Sequence, residues 1–377
     1  MYEPTGRQLQ HLAFLWPALA AASASEIAGS IAKQFIGLTG TTEDGAAARE
    51  PAWTTPNTIA LELKTVRLRD FSTVSEGVPT LLCAPYALHG AEIVDLAPGH
   101  SLIAALREAG LGRLFVTHWR SAKADMRFLA IDDYLADLNV LVDQLGGRIN
   151  LIGLCQGGWM SLLYAARFPA KVSKLVLAGA PIDIAAAQSG LSALIDASPL
   201  ALFQELVKLG DGRVIGQAVL KFWGPETVEA SEIHQLLQTR EPIDSAAFAR
   251  LANIFHAWYS WTVDLPGPYY LEVTEKLYKH NELAGGRFVG LGQKIDLAIV
   301  HAPLFLLAAR DDELVAPPQL FATEHLVGTP AHDIHKELVD GHHLRLFIGQ
   351  EVLSETWPRI ARWLAEPNRP ATSMSRH

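Results

Sequence analysis

The stretch RINLIGLCQGGWMSLLYAARFP, Arg148 to Pro169, decides how the rest of the chain is read. Ile149 to Leu154 is a continuous apolar run of strand length, Cys155 is a one-residue corner, and apolar positions then recur at helical spacing. Gly153, Gly157 and Gly158 flank the corner, because only small neighbours let a backbone bend that sharply. A strand-to-helix corner of this kind lifts one side chain above a sheet, and here that side chain is a thiol. The backbone N–H of Gln156, at the N-terminus of the new helix, is then aimed at an oxyanion formed beside the sulfur. A buried structural cysteine is the competing reading. The G-x-C-x-G-G spacing between strand and helix favours a nucleophile.

Working outward, strand-like runs occur at Val66 to Phe71, Thr80 to Ala84, Leu114 to Trp119, Val172 to Ala178 and Leu304 to Ala308, with a weaker one at Ile334 to Val339. Helical patterns alternate with them, at Ser101 to Ala109, Ile131 to Leu145 and Trp159 to Phe168. Apolar strands alternating with helices predict an α/β fold with a mostly parallel central sheet covered on both faces. The alternation breaks between Ile184 and Ala298, where helical periods (Pro199 to Leu209, Ala246 to Trp261) replace strands. This reads as a helical lid insertion over an active site, with Trp223, Trp258, Trp261 and Trp159 as candidates to face it. The expected organisation is an N-terminal helical segment and linker over 1–57, a core in two parts over 58–183 and 299–366, the lid or cap over 184–298, and a C-terminal tail over 367–377.

Composition narrows the class. The 377 residues are 49% hydrophobic and 19% charged, which suits a large packed core and excludes wholesale disorder. A net charge of −9 without a basic cluster argues against a nucleic-acid partner. The two cysteines, Cys83 and Cys155, rule out a disulfide framework, and a working thiolate favours a reducing, cytoplasmic setting. The apolar run His11 to Ala22 lacks the positive flank of a signal peptide and continues as helical periodicity through Phe35, so an amphipathic helix is expected there. No run reaches the roughly 20 apolar residues of a membrane span.

A thiol nucleophile needs a base, and the base needs an acid to orient it. The chain provides both at strand ends. Leu304 to Pro317 runs from an apolar strand into Asp311-Asp312, and Leu338 to Phe347 carries His342-His343. The apolar pair Leu314-Val315 after the acid favours Asp312, and the L-x-L-F anchor after the base favours His343. A second oxyanion donor is expected from the loop after Thr80 to Ala84. There Tyr86 offers a backbone N–H and Pro85 has none. Cys83 reads as core, and His89, His100, His118, His256 and His301 as core or solvated. Asp132 and Asp133 read as charges at a helix start. No cofactor and no metal is expected.

With these residues in view, the chain resembles the polyhydroxyalkanoate enzymes, whose synthases and intracellular depolymerases share a Cys-nucleophile α/β-hydrolase fold. GLCQGG looks like the synthase box, and Leu265 to Phe305 is similar to the segment before the catalytic acid in both branches. FVTHW, IDDYL and GAPID look closer to the depolymerases. The resemblance implies catalytic roles for Cys155, Asp312 and His343. It departs from the family in Ala316, where proline is usual, and in His342, where glycine is usual. The first expectation is hydrolysis of polyester through a Cys155 thioester. The alternatives are polymerisation of hydroxyacyl-CoA through the same intermediate, or a non-catalytic granule-binding protein. The expected partners are a polyester or hydroxyacyl substrate, a polymer granule surface and a second copy of the chain.

Overall fold

The computed structural model describes residues 49–223, 228, 230–237 and 245–367. The expected N-terminal helix, most of the linker, the tail beyond Pro367 and the Trp223 side chain lie outside the described residues. The core is an eight-stranded sheet. Its strands are β1 (Thr58–Glu62), β2 (Val66–Asp70), β3 (Thr80–Cys83), β4 (Leu114–Trp119), β5 (Ile149–Leu154), β6 (Val172–Ala178), β7 (Leu304–Ala309) and β8 (Ile334–Val339), in the spatial order β1-β2-β4-β3-β5-β6-β7-β8. The pairs β1–β2 and β2–β4 are antiparallel, and every later neighbour is parallel.

The apolar runs form strands because helices cover both faces of the sheet. All residues of β4, β5 and β7 are buried. Strand β8 is an edge and mostly half-exposed or exposed, which is why its sequence pattern is weak. Helix α1 (Leu102–Glu108) starts at Ser101, whose hydroxyl accepts from the Ala104 N–H at 2.9 Å. Helix α2 (Ile131–Gln144) starts with the Ala130 N–H donating to Asp133 at 2.7 Å, while Asp132 accepts from the Leu291 N–H at 2.8 Å. Helix α3 (Gln156–Arg167) follows the corner directly.

Between β6 and β7 come α4 (Gly190–Ala197), α5 (Leu200–Leu209), α6 (Gly216–Trp223), α7 (Ala230–Leu237), α8 (Ser245–Ser260) and α9 (Gly267–Glu272). Helix α9 continues into a π-helical turn, Val273–Lys279. This stretch is not free of strands. Arg213–Val214 pairs with Leu265–Pro266, and Val289–Gly290 with Gln293–Lys294. Two-residue ladders are too short to imprint alternation on a sequence.

Two other expectations need correction. Strand β1 was missed because it is a short edge strand, nearly all exposed, in which only Ile59 and Leu61 alternate as large apolar residues. The end of the linker is docked, since Trp53 packs on Phe71 with ring centroids 5.3 Å apart and Thr55 donates twice to buried Asp95. Among the described residues no single helix is long and apolar enough to cross a membrane. The bent pair α4–α5 qualifies by composition alone, and it buries Leu191, Ile195, Phe203 and Leu206 in the core.

Candidate active site

The corner at Cys155 has φ 49° and ψ −119°, a left-handed conformation rare for a residue with a side chain. Its amide donates to Ala178 O at the end of β6 (2.9 Å), and its carbonyl accepts from the Gly158 N–H (2.9 Å). The three glycines have steric reasons. A Cβ on Gly157 would lie 2.2 Å from Cys83 O, one on Gly153 would lie 2.6 Å from Gly158 Cα, and one on Gly158 would lie 2.3 Å from Ala180 Cβ. Helix α3 therefore enters flush against the carboxyl ends of β3 and β6, where ligands of open α/β sheets bind.

The structure sorts each doublet. Asp312 is buried, and its Oδ1 accepts from the N–H groups of Leu314 and Val315 (both 2.9 Å). Its Oδ2 lies 2.6 Å from Nδ1 of buried His343. Asp311 is exposed, and half-exposed His342 turns to Glu313 (2.5 Å) and the Asp311 carbonyl (2.9 Å). That Glu313 hydrogen bond pulls the His342 pKa up. At His343, burial opposes the charged ring. The Asp312 carboxylate, a thiolate at Cys155 and hydrogen bonding outweigh it, leaving the pKa well above 6.5. His343 Nε2 is buried without a hydrogen bond of ordinary length to any described residue. A base held at one nitrogen by a carboxylate and open at the other, next to a thiol, is equipped to move a proton.

Cys83 is the other kind of cysteine. It is fully buried, and that burial pushes its thiol up to about 12. Gln156 follows Cys155 into the helix with both ends of its side chain held. Oε1 accepts from Trp159 Nε1 at 2.7 Å, and Nε2 donates to the Tyr278 hydroxyl at 2.8 Å. Tyr86 sits just beyond β3, its hydroxyl 3.2 Å from the carbonyls of Arg120 and Asp264 and 3.0 Å from Tyr134 Oη. Trp258 is a core residue whose indole donates to Gly90 O at 3.0 Å, and Trp261 is half-buried.

Two neighbours escaped the sequence reading. Gly179, with φ 55°, lies under His343, where a Cβ would be 2.9 Å from the ring. It sits inside the GAPID segment, so the signal was present. Tyr278 comes from the π-helical turn, and no local pattern marks it. His89, His100 and His118 are buried, while His301 is exposed. Among the described residues one group, Glu50, Glu92 and His118, has metal-ligand spacing. Arg69 Nε donates to His118 Nδ1 at 3.0 Å and its guanidinium pairs with Glu50 at 3.6 Å, so a cation of the chain already faces this group.

A family model for the α/β-hydrolase fold matches residues 117–347, which include Cys155, Asp312 and His343. The chain belongs to the α/β-hydrolase fold family. A solved monoacylglycerol lipase from Paleococcus ferrophilus shares the fold, with TM-score 0.51 and 16% identity over 80% of this chain and 98% of the lipase. Similar curated sequences are poly(3-hydroxyalkanoate) polymerase subunits PhaC. The Haloferax mediterranei protein is 26% identical over 84% of this chain and 65% of its own length. That of Allochromatium vinosum is 26% identical over 77% of this chain, and that of Synechocystis sp. 28% over 81%, with 82% of each relative covered. The resemblance seen in the GLCQGG segment thus extends along most of an enzyme chain.

Proposed function

We propose that the chain is an acyltransferase of the polyhydroxyalkanoate synthase type, with Cys155 as nucleophile, His343 as base and Asp312 as its orienting acid. The Cys155 thiolate attacks the carbonyl carbon of a hydroxyacyl-CoA, and the oxyanion is met by the N–H groups of Gln156 and Tyr86. Collapse of the intermediate breaks the bond to CoA, whose sulfur takes the proton from the His343 imidazolium. A chain-end hydroxyl then gives its proton to His343 Nε2 and attacks the Cys155 thioester. This forms an ester and returns the thiolate.

The observation that carries this reading is the long likeness to polymerase subunits, with two relatives covered over 82% of their length. It favours polymerisation over the hydrolysis that the FVTHW and GAPID segments suggested. Burial supports it too. Cys155 and His343 are each 2% exposed, and a site closed to water lets a thioester survive until a hydroxyl arrives. The polymer product makes a granule surface the natural partner.

The test is one incubation with 3-hydroxybutyryl-CoA and a separate one with amorphous polyhydroxybutyrate. Release of free CoA together with polymer is expected. Acid released from polymer without CoA turnover overturns the reading in favour of a depolymerase. Granule binding with neither reaction reduces the chain to a polymer-binding protein.

A further inference from the structure

We infer that the Tyr269 hydroxyl is a specificity-determining donor, placed to hydrogen-bond a second oxygen on the acyl group carried by Cys155. The inference rests on the reading of Cys155 as nucleophile. Tyr269 lies on α9, is fully buried, and its hydroxyl has no hydrogen-bond partner among the described residues. Its ring packs against those of Tyr86 (5.1 Å) and Tyr134 (4.8 Å), so it borders the loop that follows β3. Tyr134, Cys83, Tyr278 and Cys155 all lie within electrostatic reach of the hydroxyl.

The contrast with its neighbours is informative. Tyr86, Tyr134 and Tyr278 are buried as well, and each of those hydroxyls is hydrogen-bonded. A phenol buried without a partner lowers stability and is uncommon, whereas a phenylalanine would fill the same space at no such cost. The open donor is accounted for if the substrate brings the acceptor. The backbone N–H groups of Gln156 and Tyr86 serve the carbonyl oxygen. A 3-hydroxyacyl group, or a polyester unit, carries one more oxygen, and a simple fatty acyl group does not. A site built to bond that oxygen rejects the analogue without it, because the donor then stays unpaired.

The test uses p-nitrophenyl 3-hydroxybutyrate and p-nitrophenyl butyrate, whose nitrophenolate burst reports acylation of Cys155 whichever acceptor resolves the thioester. The wild type should prefer the hydroxy ester by about tenfold to a hundredfold in kcat/KM. Tyr269→Phe should lose that preference through the hydroxy ester alone, leave the rate with butyrate unchanged, and melt no lower than wild type. Equal loss on both esters, or a clear fall in Tm, overturns the inference, since the hydroxyl then has a structural role. Discrimination among esters by an enzyme that ignores hydroxybutyryl-CoA leaves this inference standing and removes the synthase reading.

Discussion

Cys155 pays for its position in backbone strain, since φ 49° suits glycine better than any residue with a Cβ. Cys155→Gly should therefore be more stable than Cys155→Ala by about 1 kcal/mol in chemical denaturation, while both lack activity. Alkylation by iodoacetamide should fall on Cys155 and spare Cys83, whose thiol is held protonated by burial. Asp312→Asn should lower activity by roughly 10³–10⁴, because His343 would then be held in the wrong tautomer. Asp311→Asn and His342→Ala, on the outward side of each doublet, should keep most of it. The pH dependence follows from His343. Its folded pKa is raised above 6.5, so its stabilising contribution is full below that value and fades as pH climbs through the folded pKa. The Tm difference between wild type and His343→Gln should shrink from neutral to alkaline pH. A difference that grows would show the sign to be wrong.

The elbow works as an element because strand, corner and helix are packed without slack. Gly157 faces the backbone oxygens of Cys83 and Ala84, which cannot swing aside as a long side chain can. Gly157→Ala should cost about 3 kcal/mol of stability, and Gly110→Ala, which has open space around its Cβ but a positive φ, should cost less. Urea denaturation of both variants settles the order. The Asp312 turn is a second fixed element. Two backbone N–H groups and one imidazole hold its carboxylate, so the acid is positioned before any substrate binds.

Over the whole molecule, residues 184–298 are tied to the catalytic face at several points. Ser189 Oγ donates to Leu314 O (2.9 Å), Val263 N to Leu88 O (2.9 Å), and Tyr278 receives Gln156. If this insertion is the lid that its helices suggest, limited proteolysis should cut within it before it cuts the sheet. A bound hydroxyacyl ligand should slow that cutting. Equal protection with and without ligand would identify a rigid second layer.

Local patterns determined much of this protein. All seven strands read from periodicity match the observed sheet to within one residue, and β4, β5, β6 and β8 match at both ends. The central strands β3 to β7 are buried on both faces, and that burial forces the continuous apolar runs on which such a reading depends. The elbow was equally legible, because steric contact at a sharp bend leaves its mark as adjacent glycines. Other features were decided only in three dimensions. Strand β1 is a five-residue exposed edge with a single alternating pair, Ile59 and Leu61, and the ladders at Arg213 and Val289 are two residues long, so none of them stands out from its surroundings. The apolar anchors after each doublet favour Asp312 and His343, and the structure adds the contact itself, with Asp312 Oδ2 2.6 Å from His343 Nδ1. The places of Gly179 against His343, Tyr269 against Tyr86 and Tyr278 against Gln156 depended on packing between segments far apart in the chain. Sequence records the burial and bending of each segment, but the partner of a buried polar group is chosen by the fold that brings the segments together.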